Sequence, residues 1–149
     1  MAFKKLQAAG GSPANFMIRL AVGSVFLLEG VKKFLFAEQW GSGRFACIGI
    51  PVPVLTAPFV GTVETVCGLL LLLGLSTRPA SFLLIIDISV AIATTKIPIF
   101  LKSGFWPMEA EARTDFSMLM GLIFLLIAGA GPLSVDWLIA PRLRPERKR

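Results

Sequence analysis

Seven ionisable side chains, Arg19, Glu29, Lys33, Glu64, Asp87, Lys96 and Asp115, fall inside or at the rims of four hydrophobic stretches. Carboxylates and cationic groups in apolar surroundings can pass protons, stabilise developing charge or hold a polar headgroup. At a bilayer centre each costs about 2.5–3.5 kcal/mol, so a lipid-facing set would cost on the order of 20 kcal/mol. Acids and bases are nearly balanced here, and such a set is expected to face a bundle interior and pair.

Spacing organises these groups. Arg19, Gly23, Phe26, Gly30 and Lys33 recur at i, i+4, i+7, i+11 and i+14, one face of a helix. Glu29 precedes Lys33 by one turn, the favourable order for an ion pair within a helix. Gly61, Glu64, Thr65 and Gly68 share a second face, where glycines let helices approach closely. The two glycine-lined faces are expected to meet and bring Glu64 toward a Glu29/Lys33 pair. Lys96 and Asp115 flank a loop and are expected to pair across it, with Arg113 close by. Arg19 and Asp87 lie nearer the opposite face and form a separate couple in this reading. Glu64 lies deepest, which makes it the candidate proton carrier; fixing helix register is the structural alternative for the same charges.

The elements that must position these groups are membrane helices. With 149 residues, 55% of them hydrophobic, and a mean hydropathy of +0.77, the chain is too apolar for an ordinary soluble domain. Spans are predicted at about 16–36, 55–75, 80–100 and 114–131, long enough for a hydrocarbon core of about 30 Å. Asn15 is the expected cap of the first, Thr77 and Pro79 suit the start of the third, and Pro132 stops the fourth. Residues 37–54 read as a short amphipathic piece followed by an extended turn, since Gly49-Ile50-Pro51-Val52-Pro53 cannot continue a helix. Ser134 to Leu138 read as a short interfacial helix capped by Ser134. The expected fold is an all-α integral membrane four-helix bundle with that short C-terminal helix, one domain over 1–149.

Lys4, Lys5, Arg78 and the tail at 141–149 concentrate positive charge at one side, so the positive-inside rule puts both termini in the cytoplasm. Lys32 and Lys33 oppose this unless they sit in the bundle or snorkel outward. Trp40 and Trp106 fall near one interface and Trp137 near the other, as an aromatic belt requires.

Several chemistries are excluded. The chain has no His, which removes Ser–His–Asp triads and the commonest metal ligand. Cys47 and Cys67 have no zinc or redox spacing, and their depths disfavour a bridge between them. Much of the net charge of +6 sits in the basic tail, where topology and anionic headgroups explain it better than nucleic acid. The first apolar stretch contains Arg19, Glu29 and Lys32, unlike a cleaved signal peptide.

Taken in order, Arg19-xxx-Gly23-xx-Phe26-xxx-Gly30-xx-Lys33, Gly49-Ile50-Pro51-x-Pro53, Gly61-xx-Glu64-xxx-Gly68 and Gly74-Leu75-x-Thr77-Arg78 resemble the DoxX family of bacterial membrane proteins. Thr95-Lys96-Ile97-Pro98, Gly104-Phe105-Trp106, Arg113-Thr114-Asp115-Phe116 and Gly129-Ala130-Gly131-Pro132-Leu133-Ser134-Val135-Asp136 extend the likeness over nearly the whole chain. The resemblance implies a four-helix inner-membrane protein associated with quinone- or thiol-linked redox systems. It points to Arg19, Lys33 and Glu64 as site residues, with Lys96, Arg113 and Asp115 behind them. Some members carry a His near the exit of the third helix, and this chain does not.

Two functions follow as expectations. In the first, the chain is a membrane redox subunit in which Glu64, Lys33 and Glu29 do the chemistry. Arg19, Lys96, Asp115, Arg113 and Asp87 then help hold a quinone headgroup, with electrons from a partner protein because no flavin, nicotinamide or haem motif is present. In the second, the protein is a scaffold, assembly factor or small oligomeric transporter with structural charges. Membrane lipids are the expected surroundings in both.

Overall fold

The structure, a computed structural model, describes residues 12–139. Four long helices dominate it: α1 (Ala14–Leu35), α4 (Pro53–Leu73), α5 (Thr77–Ser103) and α6 (Phe105–Ala128). Two short helices, α2 (Ala37–Trp40) and α3 (Ser42–Cys47), link α1 to α4. A last one, α7 (Val135–Ile139), follows α6. No strand occurs among the described residues, and the expected all-α four-helix membrane bundle is what the chain forms. The short helix expected near Ser134 is also present.

Three of the long helices, α1, α4 and α5, have the length and hydropathy to cross a membrane. The first half of α6 carries Glu109, Glu111, Arg113 and Asp115, so its apolar run starts only at Phe116. A loop was expected over 101–113, and the structure corrects this. α5 continues to Ser103, Gly104 alone turns the chain with φ of +86°, and α6 begins at once. That backbone conformation is open to glycine. Pro107 lies in the first turn of α6, where a missing N–H costs nothing.

Two tight pairs build the bundle: α1 on α4 and α5 on α6, with thinner α4/α5 and α1/α6 seams. The glycine-lined faces of α1 and α4 meet as expected. A Cβ on Gly68 would lie 2.6 Å from the Leu27 amide nitrogen, and one on Gly30 would lie 2.6 Å from that of Thr65. Backbone approach of this kind replaces the hydrophobic drive that lipid cannot supply.

The apolar core occupies one half of the bundle only. Val22, Cys67, Leu71, Ala80, Leu84, Leu122 and Leu125 fill the half nearer the α4–α5 turn, with Phe26 and Ile88 at mid-depth. The other half, capped by α2 and α3, holds most of the charged groups.

The uncapped end is tied by polar contacts. Asn15, expected as a helix cap, instead donates to the Gly129 carbonyl at 3.2 Å, linking α1 to the end of α6. Ser134 Oγ accepts from the Trp137 N–H at 3.1 Å, capping α7 as expected. The Asp136 carboxylate accepts from the N–H groups of Ser76 and Thr77 at 3.0 and 3.3 Å, so a distant segment caps α5. Charges Lys4 and Lys5 and the tail at 141–149 lie outside the described residues.

Candidate functional site

A cavity of about 230 Å³ opens in the capped half of the bundle. Phe26 and Ile88 contribute at its mid-depth, Phe45 of α3 lines it from the cap, and all three side chains are buried. Its ionisable lining comprises Glu29, Lys33, Arg44, Glu64, Asp87, Lys96 and Asp115. Six of the seven charges singled out in the sequence therefore share one space.

Register along each helix explains the convergence. Lys33 sits three turns or so beyond Gly23 on the stripe of α1 that faces α4, so its ammonium reaches the face carrying Glu64. Lys33 Nζ lies 2.5 Å from Glu64 Oε2, with side-chain exposures of 11% and 8%. The expected Glu29–Lys33 pair does not form, because Glu64 takes Lys33. Glu29 instead pairs with Lys32 at 2.6 Å, one residue earlier and on a more exposed edge.

Asp87 on α5 lines the same cavity as Glu64. The expected Arg19–Asp87 couple is thus also corrected: Asp87 turns into the cavity, and Arg19 lies at the other end of α1. Arg19 is fully buried and donates from Nη2 to the Leu133 carbonyl. Its guanidinium lies against Gly74, where any side chain would overlap it.

Lys96 and Asp115 pair at 3.3 Å between α5 and α6, as expected, although across a helical hairpin instead of a loop. Glu111 approaches the same ammonium at 3.9 Å. Arg113 is exposed, bonds the Ala110 carbonyl of its own helix and does not line the cavity.

Arg44 and Trp40 belong to the cavity and were not found by reading the sequence. Lys32 Nζ lies 4.0 Å from the Trp40 ring centroid and Arg44 Cζ 5.3 Å, so one indole carries two cations at the rim. Their separation by the break at Gly41 hides this grouping from any helical periodicity. Thr94, Thr95 and Thr114 add hydroxyl groups to the same wall.

Pairing leaves two exceptions. Among the described residues Asp87 and Arg44 are the ionisable cavity groups without a salt-bridge partner. One lies deep and half-buried, the other at the rim and exposed. A ligand with both an acceptor and a donor would complement them.

Comparison with known proteins agrees with the motifs. The DoxX family model matches residues 14–97. The chain belongs to the DoxX family. It is 48% identical over 144 residues to "Uncharacterized membrane protein Rv3486" of Mycobacterium tuberculosis, covering 93% of this chain and 88% of that one. An "Uncharacterized protein" of Haemophilus influenzae shares 30% identity over 80% of this chain and 85% of its own. "Putative oxidoreductase CatD" of Bacillus subtilis shares 28% over 82% and 84%. No solved structure matches this DoxX chain.

Proposed function

We propose that this DoxX protein binds the polar head of a lipid-soluble molecule in the cavity, with a quinone as the ligand of a redox-linked membrane subunit. The supporting observation is Asp87: a carboxyl without a salt-bridge partner among the described residues, beside the Lys33–Glu64 pair on a cavity wall at membrane depth. Membrane acids of this kind mark ligand and proton pathways more often than they mark packing.

The residues suit such a head. Arg44 and Thr114 offer donors to carbonyl oxygens, whereas the Thr94 and Thr95 hydroxyls donate to the Val90 and Ala91 carbonyls of their own helix. Phe26, Ile88 and Met118 offer apolar surface to a ring. A bound quinone would supply the electron chemistry, with electrons delivered by a partner protein. This chain's part is to hold the head, exclude water and keep a proton at the Glu64 and Asp87 carboxyls. Lys33, Glu64 and Asp87 are together electroneutral when one carboxyl keeps its proton, so the two acids share one counter-ion and one proton. The relative named as an oxidoreductase is consistent with this direction.

In this reading the capped end faces outward across a bacterial inner membrane and both termini are cytoplasmic, with Arg78 at the cytoplasmic turn. A second reading, a non-enzymatic scaffold or small oligomeric transporter, draws on the fact that most cavity charges are already paired within the chain. Mass spectrometry of everything retained after gentle purification into lipid nanodiscs separates the two. Stoichiometric quinone supports the redox site; phospholipid alone, with no redox protein attached, supports the scaffold or transporter.

A further inference from the structure

The cavity has an apolar rim as well as a charged wall. On α5, Lys96 marks the edge turned to α6 through its pair with Asp115. Val90 and Thr94 lie about 120° and 160° around the helix from Lys96, on the edge away from α6. Both line the cavity together with Ala91, and Val90 is 53% exposed. Across from them Val60, one turn from Glu64 on α4, lines the same space and is half-buried. The α4/α5 seam is closed near its turn by Leu71, Ala80 and Leu84 of the core. Beyond Cys67 and Ile88 neither helix contributes a fully buried member of this core, and only the half-buried Val63 of α4 and Ile92 of α5 pack against it, among the described residues.

Val90 stands about 20 Å from the start of α5, inside a hydrocarbon layer of about 30 Å. The end-on route is charged and crowded, with exposed Arg44 held against Trp40 at that rim. Phe45 of the cap is buried, and any side chain at Gly41 or Gly43 would strike the backbone of Lys33 or Glu38, so α2 and α3 pack tightly. We infer that the ligand reaches this site sideways from the bilayer, through a gap between the outer halves of α4 and α5. It is a single-chain amphiphile: an uncharged head with carbonyl acceptors passes inward to Asp87, and its alkyl chain stays at Val60, Val90 and Ala91. Lipid solubility is thus a requirement of access, and chain length contributes to affinity through contact at the rim.

This inference rests on the headgroup reading above, and the test separates their failures. Trp40 lines the cavity, so its fluorescence reports occupancy in a Trp106→Phe/Trp137→Phe background in nanodiscs. The quencher is a benzoquinone with a ten-carbon chain, compared with the same benzoquinone lacking the chain. The chained quencher should act saturably. Ala91→Phe or Val60→Phe should raise its half-saturating concentration at least tenfold, whereas Ile86→Phe, on an exposed face that does not line the cavity, should leave it unchanged. Equal saturable quenching by the chainless compound, indifferent to Ala91→Phe and Val60→Phe, would overturn lateral access and leave the headgroup site standing. Saturation by neither compound in the parent would overturn both.

Discussion

Lys33 and Glu64, thirty-one residues apart, meet at 2.5 Å where the glycine-lined faces of α1 and α4 press together. The close contact at Gly30, Gly61 and Gly68 encloses the pair, whose side chains are 11% and 8% exposed, so the pair and the glycines are one device. Breaking a buried pair by removing one partner costs about 3–5 kcal/mol, mostly the burden of an uncompensated charge. Lys33→Met and Glu64→Leu should each lower the thermal midpoint in nanodiscs. The double variant Lys33→Met/Glu64→Leu should recover most of the loss, since packed apolar replacements of buried pairs are often neutral. Unfolding followed by intrinsic fluorescence tests this; additive losses in the double variant would mean that the two side chains do not depend on one another.

Gly68→Ala probes the other half of that device. The new Cβ would sit 2.6 Å from the Leu27 amide nitrogen, a backbone atom that cannot swing aside. Overpacking costs about 1–3 kcal/mol, and α1 must move away from α4 to relieve it. Lys33 would then lose its hold on Glu64. The expected result is a lower thermal midpoint together with weaker Trp40 quenching by the chained benzoquinone, from a substitution that touches no cavity residue.

At the opposite end, Asp136 should matter to the start of α5. Its carboxylate accepts from the N–H groups of Ser76 and Thr77, which have no partner within their own helix. Asp136→Ala should cost about 1 kcal/mol, the usual loss of a helix cap. Hydrogen exchange should quicken at Ser76 and Thr77 while the cavity half of α1 and α4 keeps its protection. Uniform quickening over the whole chain would point to a wider role.

These outcomes bear on which parts of the molecule could be read from residue order. The stripe Arg19, Gly23, Phe26, Gly30, Lys33 identified the buried face of α1, and the Gly61–Gly68 face identified its partner, because helical periodicity and small residues encode helix contact directly. The choice between Glu29 and Glu64 for Lys33 was not legible. Both are geometrically allowed from sequence, and only the tightness of the α1/α4 contact decides it. Asp87 was assigned to Arg19 by depth along the membrane normal, a measure blind to rotation about the helix axis. The hairpin at Gly104 was missed for a different reason: charged residues from Lys102 to Arg113 suggested a loop, yet a helix that emerges from lipid tolerates them. Arg44 and Trp40 gave no periodic signal at all, since they lie on two short helices broken at Gly41. Of the candidate site, the Lys96–Asp115 pair and the place of Asp87 among the site residues were therefore readable, whereas the Lys33–Glu64 pair and the presence of Arg44 in the cavity were not.

Asp87→Asn gives the sharpest separation between a structural and a ligand-binding role. A carboxyl that only fixed helix packing would be expected to bond a cationic partner, and Asp87 has none among the described residues. The amide is nearly isosteric, keeps both hydrogen-bonding functions and removes the second acid from beside Glu64. Stability should therefore change by no more than about 0.5 kcal/mol, the range for substitutions that break no packing or ion pair. Binding should respond quite differently. If a proton held at Asp87 meets the ligand head, the amide N–H, a weaker donor than a carboxyl O–H, should hold the chained benzoquinone several-fold less tightly while the thermal midpoint holds. Measuring both on the same nanodisc sample decides the matter: a fallen midpoint with unchanged quenching would assign Asp87 to the framework and leave the cavity without its principal ligand contact.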